Sequence, residues 1–232
     1  MAEMTVADAA RRLGVSEQRT RQMLRGGEIR GRQLGRSWLV DANSVQRRCV
    51  EHVGAGRVWS EHTIKEIVCA LSDGEAIDAK SAMRLRRTDA ETLWRKIAQG
   101  VTITTYRTRN ADALRDHLAL TGESAMDQLG EQLVGQARVL HGYLHGISLD
   151  DAIDDAGLVE DSEGNLAIHQ LRSGDADWVG DRYARRALIA VDCARTGIRR
   201  VSSVGTRALE EMRQAWLGGR RLRPTSAHPA QR

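Results

Sequence analysis

A chain of 232 residues that is 41 % apolar can bury a core in each of two domains. No run of eighteen apolar residues occurs, and the start lacks the basic, apolar, small-residue order of a signal peptide, so a soluble cytoplasmic protein is expected. Cys49, Cys69 and Cys193 stand too far apart for a disulfide scaffold or a closely paired zinc site. Residues 1–48 carry ten arginines against five acids, a net charge of +5, and residues 218–232 add four arginines and no acid. The stretch between them carries −5, so a basic head and tail flank an acidic body. Lys65, Lys80 and Lys96 are the chain's three lysines.

Thr5 has the hydroxyl of a helix N-cap, and Val6, Ala9, Ala10 and Leu13 recur behind it at helical spacing, with Gly14 as the stop. Val15 is expected to pack inward. Ser16 caps a second helix whose inner face is Thr20, Met23 and Leu24, ended by Gly26 and Gly27. Two short helices joined by so tight a turn make a helix-turn-helix. Ile29, Leu34, Trp38 and Val40 then mark two strands around a glycine-containing turn, a wing, and Asp41 caps a third helix through Val45 that closes the unit near Arg48.

The order Thr5-Val6-Ala7-Asp8-Ala9-Ala10, Leu13-Gly14-Val15-Ser16, Gly27-Glu28-Ile29, Gly35-Arg36 and Trp38-Leu39-Val40 resembles the winged helix-turn-helix heads of the excisionase and MerR type. Those heads commonly have proline where Arg30 stands, so a looser approach to the wing is expected here. The resemblance implies double-stranded operator DNA as partner, with the second helix in the major groove and the wing on the adjacent backbone. Glu17, Gln18, Arg21 and Gln22 are then the readers of base edges, and Ser16 opens the same helix. Arg25, Arg32 and Arg36 are placed for phosphates, where a guanidinium displaces counterions whatever the sequence. One head reads a short site, so a homodimer or a repeated operator is expected.

Gly54-Ala55-Gly56 reads as a hinge, and residues 51–100 as a helical linker segment carrying Ile64, Ile67, Val68 and Leu71, then Ala82 and Leu85, then Leu93, Trp94 and Ile97 at helical spacing. Arg84, Arg86 and Arg87 lie in it. Val101–Tyr106 is a β-branched strand, and a helix starts near Asn110. Strands at 118–122, 137–144 and 166–169 alternate with a helix capped by Ser148 (149–156) and helices around 187–194 and 206–217. The fold class is therefore α+β: a winged helix-turn-helix at 1–50, the helical middle, and a mixed α/β domain at 101–217. Residues 218–232, with two glycines, two prolines and no apolar period, read as a disordered basic tail.

Within 101–217, Leu120-Thr121-Gly122-Glu123-Ser124-Ala125, Gly142-Tyr143-Leu144, Gly157-Leu158, Gly164-Asn165-Leu166 and Arg186-Ala187-Leu188-Ile189-Ala190-Val191-Asp192 follow in an order that resembles the C-terminal domain of AbiEi-like antitoxins. Those antitoxins accompany nucleotidyltransferase toxins. The resemblance implies a DNA-binding autorepressor that also restrains a toxin encoded by a neighbouring gene. The acids Asp150, Asp151, Asp154, Asp155, Glu160, Asp161 and Glu163 offer a face for such a partner. The alternatives are a stand-alone or prophage repressor and an excisionase-like recombination factor.

A G-x-S-x-G elbow, a P-loop and a dinucleotide fingerprint are all missing from the sequence. His141 and His145, four apart, read as strand and turn rather than as a metal pair on a helix, and Asp175-Ala176-Asp177 reads as a loop. Asp192 and Cys193 fall in an apolar helix as a hydrogen-bonded carboxylate and a packed thiol. A non-enzyme without cofactor or metal is expected.

Overall fold

The computed structural model describes residues 3–13, 15–35, 37–42, 44–45, 48, 58–131, 139–172, 174, 176–196 and 198–219. Helices and sheets both contribute, an α+β class, and the chain divides into two units, Met1–Gly56 and Arg57–Arg232, each with its own core.

In the first unit Thr5 ends strand β1 (Glu3–Thr5) and opens helix α1 (Val6–Leu13). Its hydroxyl accepts the Asp8 N–H at 3.1 Å and donates to the Asp8 carboxylate at 2.7 Å, so one side chain satisfies a donor that the helix leaves unpaired. Helix α2 (Glu17–Arg25) is capped by Ser16, which accepts the Arg19 N–H, and ends at Gly26. Strands β2 (Gly31–Leu34) and β3 (Ser37–Asp41) form the wing around Gly35, whose φ of +62° is one that glycine adopts without strain. The sequence reading missed β1, which pairs with β3 to give an antiparallel sheet of order β1-β3-β2.

Val6, Ala9, Met23, Leu24, Ile29, Val40 and Val45 make the core of this unit. Val15, expected inside, is 37 % exposed. The turn is set instead by the backbone, the Val15 N–H donating to the Ala10 carbonyl at 3.1 Å. The approach to the wing is not loose either. The Arg30 N–H, which a proline would lack, donates to Ser44 Oγ at 2.9 Å, and that hydroxyl contacts the Arg30 and Asp41 carbonyls in turn.

The second unit begins with helices α3 (Glu61–Asp73), α4 (Ala79–Arg87) and α5 (Ala90–Ala98), capped by Ser60, Asp78 and Asp89. Expected as a linker segment, they are instead part of this unit's core, because Ile64, Ile67, Leu71, Leu85, Leu93 and Ile97 are fully buried. Polar ties run the same way. The Ala187 N–H donates to Ser72 Oγ at 3.1 Å, and Arg213 Nε donates to the Leu85 carbonyl at 3.2 Å.

The remaining elements are β4 (Val101–Arg107), a 3-10 segment (Ala111–His117), β5 (Leu118–Leu120), a second 3-10 segment (Gly122–Leu129), β6 (Leu140–Leu144), α6 (Leu149–Ala156), β7 (Val159–Glu160), β8 (Leu166–Leu171), α7 (Arg186–Arg195) and α8 (Arg199–Leu217). The sheet order is β5-β6-β8-β4-β7, with β6 and β8 parallel and the other pairs antiparallel. Thr121 and Gly122, expected to extend β5, turn away, Gly122 having φ +55°.

One face of the sheet packs Tyr106, Leu118, Leu144, Leu166 and Ile168 against Leu114 and, from α6, Ala152 and Ala156. Helix α7 is buried from Ala187 to Ala194, the pattern of a central core helix rather than an amphipathic surface one. Helix α8 approaches it closely at Gly205, where a Cβ would lie 2.4 Å from both the Ala190 carbonyl oxygen and the Ala194 nitrogen.

Candidate nucleic-acid interface

Helix α2 separates two faces by sequence. Thr20, Met23 and Leu24 are buried, whereas Glu17, Gln18, Arg21, Gln22 and Arg25 are exposed and recur at intervals of three and four, so they share the outward side. These side chains are amides and ions that can address base edges or phosphates. Ser16 has a structural task, since its hydroxyl accepts the Arg19 N–H at 3.2 Å.

The charge on this surface is organised by ion pairs. Arg21 Nη2 lies 2.6 Å from Glu17 Oε2, one turn away on the same helix. Glu28 receives both Arg19 and Arg48, joining α2 to the end of the head, and Asp8 receives Arg11. Arg32, expected to meet phosphate, is engaged within the protein by Glu3, which raises its pKa and lowers that of Glu3 through their hydrogen bonds. Arg25 is exposed at the end of α2 with no carboxylate partner among the described residues. Arg36 lies outside the described residues. Exposed pairs of this kind are weak and screened by salt, so an arginine can leave its carboxylate for a phosphate at small cost.

Residues 3–48 match the family model of a helix-turn-helix domain. The head is a DNA-binding helix-turn-helix. No curated protein and no solved structure matches the chain. The matched segment contains both helices of this head and its wing. No described helix is long and apolar enough to cross a membrane.

The second unit holds a buried polar cluster between the sheet and α7. Thr121 Oγ1 donates to Asp192 Oδ2 at 2.7 Å, and His169 Nδ1 lies 3.3 Å from Asp192 Oδ1, an ion-pair distance without hydrogen-bond alignment. His141 Nδ1 and His169 Nε2 are 3.2 Å apart, and Arg195 Nη1 comes within 3.7 Å of Asp192. The contact between His141 Nδ1 and His169 Nε2 needs a hydrogen on one of the two nitrogens and a lone pair on the other.

Burial alone would raise the Asp192 pKa, but His169, Arg195 and Thr121 outweigh it and the carboxyl stays below its ordinary value. His141 is lowered to about 4, by burial first and by His169 second. Burial pushes the Cys193 thiol up to about 12, which leaves it a packed, unreactive group. The sequence reading anticipated the hydrogen-bonded Asp192 and the packed Cys193. It missed His169, whose partners lie 23 and 28 positions away and carry no local signal.

His141 faces His169, whereas His145 lies near His117, the two rings tilted to each other with centroids 6.5 Å apart. Among the described residues the one group of potential metal ligands is His62, Glu66 and Asp78. Asp78 caps α4, and Glu66 accepts from the Asp78 N–H and Ser81 Oγ, so that group already serves the turn between α3 and α4. Of the acidic residues noted in the sequence, Asp151 closes the capping box with Ser148 and Asp161 pairs with Arg107 at 2.7 Å. Asp150, Asp154, Asp155, Glu160 and Glu163 are exposed. The basic tail from residue 220 onward lies outside the described residues.

Proposed function

We propose that the protein is a transcriptional autorepressor and antitoxin, whose head occupies its own operator and whose second unit restrains a nucleotidyltransferase-type toxin. The observation that carries the DNA half is a helix-turn-helix head with its own core and an outward row of Glu17, Gln18, Arg21, Gln22 and Arg25. The antitoxin half is supported by the ordered resemblance of 120–192 to AbiEi-like antitoxins. It is also supported by five exposed acids on and after α6, which suit a basic partner. The polar cluster of the second unit is a core tie in this reading, not a reaction centre. Its acid–base groups face one another, and the unit acts by binding.

The reading is tested with a fluorescent reporter driven by the region upstream of the chain's own gene. Expression of the protein lowers the reporter, and the product of the neighbouring gene co-purifies with the full chain. Repression without co-purification would leave a stand-alone or prophage repressor; binding confined to recombination sites would favour the excisionase-like alternative.

A further inference from the structure

An open cleft of about 300 Å³ lies in the second unit between the residues that precede α3 and the helices α4 and α5. Trp59, Met83, Thr88 and Thr92 line it together with four cations, Lys80, Arg84, Arg87 and Lys96, and no acid is among its lining residues. The stretch of sequence around it, Cys49 to Leu217, carries a net charge of −5, so this concentration of cations runs against its surroundings. Two of the chain's three lysines are here. Of the carboxylates that flank the lining residues of α4 and α5 in sequence, Asp78 and Asp89 are engaged as helix caps on the Ser81 and Thr92 N–H groups, at 2.5 and 2.7 Å, and Glu91 is paired with Arg95.

The parts differ in what they can do. Arg84 is built into the wall: its Nη1 donates to Thr63 Oγ1 at 2.9 Å and its guanidinium lies 6.0 Å from the Trp59 ring centre. Lys80 and Arg87 are exposed and able to move toward a ligand. Met83 is 45 % exposed beside them, an apolar and adaptable surface that water covers in the absence of a ligand. An indole and a thioether framed by cations match a flat aromatic group joined to an anion.

We propose that this cleft is a nucleoside-phosphate site, in which Trp59 and Met83 receive the base and Lys80 and Arg87 meet the phosphate. The volume suits one nucleotide rather than a duplex, being at the lower end of ligand sites, which run from roughly 300 to 1,000 Å³. The nucleotide is either free or part of a single strand. An acidic peptide would satisfy the cations but would leave the aromatic wall without a flat partner.

The test titrates the full-length protein at low salt with deoxyadenosine monophosphate, a short deoxyadenylate single strand and inorganic phosphate, followed by tryptophan fluorescence and calorimetry. The nucleotide or the strand binds, and Trp59→Leu weakens it roughly tenfold, within the range expected for loss of one base stack, while leaving inorganic phosphate binding unchanged. The exposed double variant Lys80→Glu/Arg87→Glu weakens all three probes with an unchanged melting temperature. Tighter binding of the strand than of the mononucleotide, with a steeper salt dependence, assigns the site to a nucleic-acid strand. Equal binding assigns it to a free nucleotide. No binding by either nucleotide probe, binding indifferent to both cleft variants, or binding abolished by Arg25→Ala in the head would overturn the proposal. Preference for an acidic peptide over both nucleotides would overturn it as well.

Discussion

Arg32 and Glu3 are joined by two parallel hydrogen bonds, Nε to Oε1 at 2.7 Å and Nη2 to Oε2 at 3.0 Å, across the strand that lies between them. A wing cation is thereby held on the protein's own first strand. Glu3→Gln removes the competing charge, and the variant should bind DNA more tightly at low salt, with the slope of log K against log salt steeper by up to about 0.9 for one added phosphate contact. Fluorescence anisotropy across a salt series measures both. An unchanged slope would mean that Arg32 does not reach phosphate even when released.

Arg21 and Arg25 share the outward face of α2 but differ in setting, Arg21 being held by Glu17 and Arg25 standing at the helix end. Arg21→Ala should cost about 1–3 kcal/mol on the preferred operator and relax its sequence preference. Arg25→Ala should weaken all sequences alike and flatten the salt slope by about one phosphate. Binding-site selection on the two variants separates these outcomes, and identical selected motifs for wild type and Arg21→Ala would remove Arg21 as a reader.

Asp192 is the acceptor on which the buried cluster depends. Asp192→Ala leaves Thr121 Oγ1, His169 Nδ1 and Arg195 Nη1 without their counterpart in a dry site, and should destabilise the second unit by about 3 kcal/mol or more. Asp192→Asn keeps an acceptor for Thr121 and should cost less. Urea denaturation gives both values, and equal losses for the two variants would show that shape rather than hydrogen bonding is what the site needs.

His141 gives stability a pH dependence whose sign follows from its environment. In the folded chain it takes a proton only at about 4, whereas an unfolded histidine takes one near ~6.5, so between these values the unfolded state binds more protons. Its contribution is complete above about 6.5 and declines as pH falls toward 4, with a limiting slope of about 1.4 kcal/mol per pH unit. Asp192, held below its ordinary value, adds a loss that begins only at still lower pH. Urea midpoints from neutral pH down to 4.5 should fall for wild type and fall less for His141→Gln. Parallel profiles would exclude His141 as the source.

What could be read from the sequence was mostly local. Ser148 and Ser16 cap the helices assigned to them because a cap is a contact over three residues, and the inner face of α2 is Thr20, Met23 and Leu24 as their spacing requires. The apolar run 187–194 becomes a buried helix for the same reason. Relationships made by the fold were not legible. Thr121 and Asp192 are 71 positions apart, and a three-residue strand such as β1 carries too little pattern to be seen before its partner β3 is placed. Helices α3 to α5 read as a linker because their apolar stripes were visible but the surface covering them was not. At the candidate interface the spacing showed which residues of α2 face outward, while the pairing of Arg32 with Glu3 required the sheet.

The proposed function joins a DNA-binding head and a toxin-restraining unit in one chain. The most direct measurement is growth of a bacterial host expressing the neighbouring gene alone, with the full-length protein, and with a full-length variant whose head is disabled by Arg21→Ala and Arg25→Ala. Arrested growth rescued by both forms, with the operator bound only by the unmodified one, is the predicted result. Toxicity that neither form relieves, or rescue that disappears with the head variant, would contradict it.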